Sequence, residues 1–277
     1  MKSYLWTLDG GRLQYQSSYK NAEINWIFLP GGPGLGSEML SGLTELLADK
    51  IPGVIWHFDL PNDGSNLLKD KFILNWRAVI TQAVLAFKKV ILVAHSTSGM
   101  CVQTMPELEK MLHGLVLLDS APSVLWQKAF AIYRLNNMDS AIREAEKGYS
   151  ENPNNQSLRK LLIAEAKNCF VKKESLIKGK ELFMKIPINN HANQEFSKSF
   201  DAGKYHATWI PQTVKTLITA GAHDHITPLH LFSDNAFYQR ENIYFREISE
   251  AGHCPWFENP DEIARVFQEY IGKYEAP

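Results

Sequence analysis

The stretch Ala94-His95-Ser96-Thr97-Ser98-Gly99 carries the residue types of a nucleophilic turn. It follows the apolar run Val90-Ile91-Leu92-Val93 and precedes a segment with helical spacing. A sharp strand-to-helix turn leaves no room for bulk beside its tip, and residues 94, 98 and 99 are all small. Ser96 would then stand exposed at the positive end of the following helix. A serine hydroxyl is too weakly acidic to attack a carbonyl at neutral pH, so it needs a base to take its proton and a carboxylate to orient that base. Alone, such a serine is as readily a helix cap. Nine histidines and thirty acidic residues leave its partners open at this level. His223 and His225 alternate like a metal pair, but Pro228 ends their strand and no further ligand cluster accompanies them, so no metal or other cofactor is expected.

Four segments together resemble the α/β-hydrolase superfamily, in its serine hydrolase branch with a helical cap. The elbow at 94–99 is similar to that fold's G-x-S-x-G, with Ala94 and Ser98 in place of glycines. Gly252-His253-Cys254-Pro255-Trp256-Phe257-Glu258-Asn259-Pro260 resembles the family's G-H-x-P-x-x-E-x-P, which carries the histidine. Gly221-Ala222-His223-Asp224-His225-Ile226-Thr227-Pro228 resembles G-x-x-D-x-x-x-P, whose aspartate holds that histidine. Pro30-Gly31-Gly32-Pro33-Gly34 is similar to H-G-G-P-G, with proline where histidine is usual. The order Ser96, Asp224, His253 is the order of this fold.

The resemblance implies Ser96 as nucleophile, His253 as base and Asp224 as orienting acid, with Asp119, after the run Leu115 to Leu118, as an alternative acid. It further implies an oxyanion hole from the N–H groups of Gly32 and Thr97, and His95 as packing support. Asp59 to Ser65 matches the family's D-x-R-G-x-G-x-S loop less well and reads as structural. A serine nucleophile disfavours the epoxide hydrolase and haloalkane dehalogenase branches. The expected activity is that of a carboxylesterase on a small ester, amide or activated carbonyl. The alternatives are a proline iminopeptidase-like aminopeptidase, although its usual elbow G-G-S-W-G is not matched, and a carbon–carbon bond hydrolase like the meta-cleavage product hydrolases. A binding protein that has lost turnover is the alternative outside enzymes, permitted by Pro30 and the missing elbow glycine.

These residues need a rigid frame. Short apolar runs at Ile24 to Leu29, Val54 to Phe58, Val90 to Ala94, Leu115 to Leu118, Thr216 to Thr219 and Ile243 to Ile248 read as strands buried on both faces. Helical spacing lies between them at Glu38 to Asp49, Phe72 to Lys88, Gly99 to Met111, Pro228 to Phe237 and Asp261 to Tyr270. A hairpin around Asp9-Gly10-Gly11 adds an antiparallel edge. The alternation predicts an α/β fold with a mostly parallel sheet flanked by helices, and the α/β-hydrolase resemblance implies that the sheet is eight-stranded.

Residues 123–208 break the rhythm with helix-forming, Lys-rich sequence and no strand, which divides the chain into a core of 1–122 and 209–277 and an inserted helical cap. The insert holds 14 Lys and Arg against 9 Asp and Glu, leaving 15 against 21 elsewhere, so the net charge of −1 hides a basic cap and an acidic body. Trp126, Phe130, Tyr133, Phe183, Met184 and Trp209 could line a pocket beneath it, with Trp126 taken as substrate-binding. One tetratricopeptide-like helix near Ala141 to Tyr149 lacks a second copy, which excludes a solenoid.

Apolar residues at 45% and charged residues at 21% are those of a globular chain, and the balanced charge disfavours nucleic acid as a partner. Asp9 and Arg12 interrupt any signal-peptide core, no apolar run reaches membrane-helix length, and three cysteines without a CxxC pair fit a reducing compartment. The expectation is a cytoplasmic protein with a small-molecule substrate and no membrane partner.

Overall fold

The computed structural model describes residues 3–20, 23–68 and 75–275. Eight strands form one sheet: β1 (Tyr4–Trp6), β2 (Arg12–Tyr19), β3 (Ile24–Leu29), β4 (Gly53–Asp59), β5 (Lys89–His95), β6 (Gly114–Leu118), β7 (Lys215–Gly221) and β8 (Ile243–Ile248). Their order is β1-β2-β4-β3-β5-β6-β7-β8, antiparallel at β1-β2 and β2-β4 and parallel from β4 onward.

The helices before β6 are α1 (Ser41–Leu47), α2 (Trp76–Leu85) and α3 (Thr97–Val102). Between β6 and β7 come α4 (Leu125–Asn137), α5 (Ser140–Glu151), α6 (Asn155–Glu165), α7 (Lys173–Lys185) and α8 (Asn190–Ser199). The chain closes with α9 (His230–Ser233), α10 (Pro255–Glu258) and α11 (Pro260–Glu275). Among the described residues no helix is long and apolar enough to cross a membrane.

The central strands are apolar on both sides because both sides are covered. All six residues of β3 are buried. Trp26 and Phe28 point into a cluster with Leu43, Leu47 and Phe267, while Ile27 and Leu29 enter another with Val79, Ile80 and Val102. This is the period of two expected of a strand, with α1 and α11 on one face and α2 and α3 on the other.

The register lines up the strand ends. Leu29 pairs with Ala94, His95 with Leu118, Leu118 with Thr219, and Gly221 with Ile248. The loops after β3, β5, β6, β7 and β8 therefore leave the sheet along one edge, at the carboxyl ends where open parallel sheets place their ligands.

Some helix boundaries differ from expectation. The start expected at Phe72 lies outside the described residues. The helix expected over Gly99 to Met111 stops at Val102, and Pro106–Lys110 forms a separate 3-10 turn. Pro106 disfavours helical backbone at Met105, which is extended away from it with ψ +75°. Pro228 to Phe237 contains only α9 and the start of the 3-10 turn Ala236–Tyr238, and the segment from Glu38 opens as a 3-10 turn before α1.

Candidate active site

Ser96 sits between β5 and α3 with φ +53° and ψ −123°, in the left-handed half of backbone space that side chains rarely occupy. The turn is over-determined. Ser96 N–H donates to Leu118 O at 2.9 Å, and Ser96 O accepts from Ser120 Oγ at 2.9 Å. A Cβ on Gly99 would collide with the Ser120 side chain, and buried Ala94 and Ser98 fill the remaining space. The small residues around the serine are thus fixed by close approach of β6 and its following loop.

His253 stands between the serine and an acid. Its Nε2 lies 3.0 Å from Ser96 Oγ and its Nδ1 2.9 Å from Asp224 Oδ2. A carboxylate only accepts, so Nδ1 carries the proton in the neutral ring and Nε2 presents a lone pair to the hydroxyl. Such an imidazole can take the hydroxyl proton while the carboxylate balances the charge that forms. Asp224 is itself held by Ile226 N–H at 2.9 Å, Thr227 N–H at 3.1 Å and Thr227 Oγ1 at 2.8 Å. Burial opposes its ionisation, but the electrostatic interaction with His253 and these hydrogen bonds outweigh burial and hold the carboxyl at about 2.

The histidine loop is braced from outside the sheet. Gly252 N–H donates to Glu258 Oε2 at 2.7 Å, while Glu258 Oε1 accepts from Val171 N–H at 2.8 Å and Lys172 N–H at 2.7 Å. His253 N–H donates to Cys169 O at 2.9 Å. The segment between α6 and α7 is therefore bonded directly to the loop that carries the imidazole.

The loop after β3 packs on the elbow. Ser98 Oγ donates to Pro30 O, and a Cβ on Gly31 would fall 2.5 Å from Ser96 Cβ and 2.6 Å from His95 O. Only glycine permits this approach. Gly32 follows with φ +75°, and Gly34 N–H donates to Asp63 Oδ1 at 2.9 Å. Asn189 N–H reaches Gly34 O at 2.9 Å and Asn193 Nδ2 reaches Pro33 O at 2.8 Å, so α8 is bonded to this loop as well. Thr97 is the first residue of α3, and its N–H has no intrahelical acceptor. Gly32 and Thr97 are both partly open to solvent beside the serine.

A model of the Alpha/beta hydrolase family matches residues 26–266. The chain belongs to this family. A Mycoplasma pneumoniae protein named "Putative esterase/lipase 2" is 24% identical over 257 residues, spanning 90% of this chain and 88% of that one. The chain is similar in fold to an alpha/beta fold family hydrolase from Bacillus anthracis str. Sterne, with TM-score 0.70, 14% identity and coverage of 98% and 99%. It is also similar to proline iminopeptidase from Mycobacterium smegmatis, with TM-score 0.65, 19% identity and coverage of 98% of each chain.

In this alpha/beta hydrolase the remaining residues singled out from the sequence scatter. Trp126 is half-buried against the cluster of Met100, Ala121 and Tyr205, with its indole N–H buried and unpartnered. Tyr133 stacks on His225 at 4.2 Å, and both line a cavity of about 240 Å³ beside the Asp224 loop. Phe183 is buried in the core and Met184 is exposed. Trp209 is also core, its indole donating to Glu109 Oε2 at 2.8 Å, so these three line no pocket near the serine. A larger cavity of about 770 Å³ lies among α5, α6 and α7 and touches none of Ser96, Asp224 and His253. The smaller one is lined by His223 and His225, the chain neighbours of Asp224, and it too touches none of Ser96, Asp224 and His253.

His95 is buried, its Nε2 3.2 Å from His253 O, and its ring packs edge-on to Trp256. Burial and the neighbouring His253 push it down to about 3, so it is a neutral support. Among the described residues, Asp119, Asp224 and His253 form the one group of acids, thiols and imidazoles close enough to share an ion, and both ring nitrogens of His253 already bond to Ser96 and Asp224.

Glu258, Asn189 and Asn193 support the site without a sequence signal that marks them for it. Glu258 stands inside the histidine motif with Gly252, but its other partners, Val171 and Lys172, lie in another segment, and the asparagines carry no motif at all.

Proposed function

We propose that this alpha/beta hydrolase is a serine hydrolase with carboxylesterase-like activity on small acyl substrates. The observation that carries the reading is His253, bonded at once to Ser96 Oγ and Asp224 Oδ2. Ser96 Oγ attacks the substrate carbonyl as His253 Nε2 takes its proton. The oxyanion that forms is bound by the N–H groups of Gly32 and Thr97. His253 then returns the proton to the leaving group as the tetrahedral intermediate collapses to an acyl-enzyme. Water attacks the acyl carbon with His253 again as base and frees Ser96.

Residues 123–208 act as a cap on a core of 1–122 and 209–277. Its attachments to the loops of Gly34 and His253 support that reading, and Trp126, next to Met100 of α3, is its proposed substrate contact. Ester cleavage is favoured over amide or carbon–carbon cleavage by the esterase/lipase name of the Mycoplasma relative. Three free thiols support a cytoplasmic location.

The test pairs a fluorophosphonate probe with a turnover panel of p-nitrophenyl esters, proline anilide and vinylogous diketones. Ser96 is expected to be labelled and Ser96→Ala to lose both labelling and about 10⁶-fold in kcat. Labelling that survives Ser96→Ala overturns the nucleophile, and a preference for proline anilide or diketone over every ester overturns the substrate class.

A further inference from the structure

The site contains one more carboxyl than the proposed chemistry uses. Asp119 follows β6 directly, has φ +44° and is fully buried. Its N–H is bonded to Thr219 O at 2.9 Å and its Oδ1 accepts from Gly221 N–H at 3.0 Å, so β6 and β7 fix it in place. Its Oδ2 is buried with no hydrogen-bond partner. One oxygen of Asp119, one of Asp224 and one nitrogen of His253 all lie within 4.8 Å of each other. An oriented, unpartnered buried oxygen beside the base is costly unless something is made of it.

Two carboxylates so close in a dry site do not both ionise, because like charges disfavour the second ionisation. The donors decide which one holds the charge. Asp224 accepts four hydrogen bonds, one from His253, whereas Asp119 accepts one backbone N–H. The other groups that act on Asp119 do not favour its charge either: Glu258 is acidic, and the thiols of Cys169 and Cys254 are neutral. Burial and the Asp224 charge both push the Asp119 carboxyl well above its ordinary range.

We propose that Asp119 is a protonated reserve acid, a positioning residue that stays neutral while Asp224 is ionised and becomes the carboxylate partner of His253 when Asp224 cannot. This rests on the reading of His253 as base. In the reserve state the Asp119 proton passes to solvent, and its oxygen accepts Nδ1–H of His253. One oxygen of Asp119 and one ring nitrogen of His253 already lie within 4.8 Å, and the reserve state requires Asp119 and Nδ1 to reach the usual ~2.9 Å of such a bond.

The test is a double-mutant cycle with kcat/KM for a p-nitrophenyl ester followed across pH, and thermal melts as a check on folding. Removing a lone orienting aspartate costs about 10⁴-fold. With a reserve acid, Asp224→Asn is expected to lose only about 10²-fold, Asp119→Asn about threefold, and the double variant about 10⁴-fold, well beyond the product of the singles. The residual rate of Asp224→Asn should climb to higher pH than that of the wild type, because Asp119 must first lose its proton. An Asp224→Asn variant as slow as the double one overturns the proposal, as does a profile for Asp224→Asn no different in shape from the wild type. The profile decides alone if the double variant does not fold. Activity retained by His253→Ala would instead overturn the base assignment, which separates the two failures.

Discussion

Strand β5 leaves only Lys89 exposed over seven residues, whereas α4 buries none of its thirteen. The two regions serve the same site by different means. The sheet fixes it by continuous backbone pairing, so that Ser96 and Asp119 hold positive φ at the strand ends without escape. The helices after β6 and the segments between them reach it through a few individual hydrogen bonds, to Pro33, Gly34, His253 and Glu258. Buried ladders carry precision. Isolated bonds carry attachment, and each is replaceable at modest cost.

The contrast breaks most sharply at Gly31. Gly31→Ala puts a methyl group against Ser96 Cβ and His95 O, and the loop must retreat from the elbow. We expect a loss of about 10²–10³ in kcat, the scale of losing an oxyanion donor. Steady-state kinetics with unchanged kcat would show that the loop tolerates displacement.

Glu258→Gln tests the attachment side. It replaces one carboxylate oxygen by an amide NH₂ facing a backbone N–H, either at Gly252 or at Val171 and Lys172. A loss of about 2 kcal/mol in urea unfolding is expected from the unsatisfied donor. A change under about 0.5 kcal/mol would place this contact with ordinary surface substitutions.

His95 ties the comparison to pH. Its folded value of about 3 lies below the ordinary value of 6.5, so between the two the unfolded chain binds the proton and the folded chain does not. Stability from this group is complete above about 6.5 and falls with pH toward 3, by at most about 1.4 kcal/mol per pH unit. Urea midpoints measured from pH 7 to 4.5 should show this slope, and His95→Asn should flatten it. A variant with the wild-type slope would assign the pH dependence elsewhere.

The smallest effect is expected farthest from the sheet. Gly148 lies inside α5, and a methyl group added there would meet nothing within 4 Å. Gly148→Ala should stabilise by about 0.5–1 kcal/mol through the unfolded chain and leave kcat alone. Destabilisation in the same unfolding assay would mean that α5 is packed more tightly than its surface implies.

The strands were legible because burial on both faces writes continuous apolar runs, and β3 and β8 match their expected bounds. The segments around Ser96, Asp224 and His253 were legible through their resemblance to short family motifs, since each is contiguous in the chain. What escaped is non-local. Asp119 reads in the sequence as a competitor of Asp224 and stands in the fold as its neighbour, a relation set by the β6-β7 register. The clasp of Glu258 on Val171 and Lys172 joins residues far apart in the chain, and neither side has a pattern that names the other. The same holds for Glu109, whose carboxylate gathers Trp209, Gln212 and Thr213 and is held down to about 2 by those donors against its burial. In Gly99 to Met111 the signal to stop the helix is Pro106, which outweighs the helical spacing around it.

The bond from His253 N–H to Cys169 O sets a rule for re-engineering this protein. A helical segment transplanted from a relative cannot be a passive cassette. Whatever its sequence, it must offer a carbonyl at the place of Cys169, or the imidazole is carried on a loop with an unsatisfied buried amide. Chimeras are therefore best cut so that residues 166–172 travel with the histidine loop, and only the helices beyond them are exchanged.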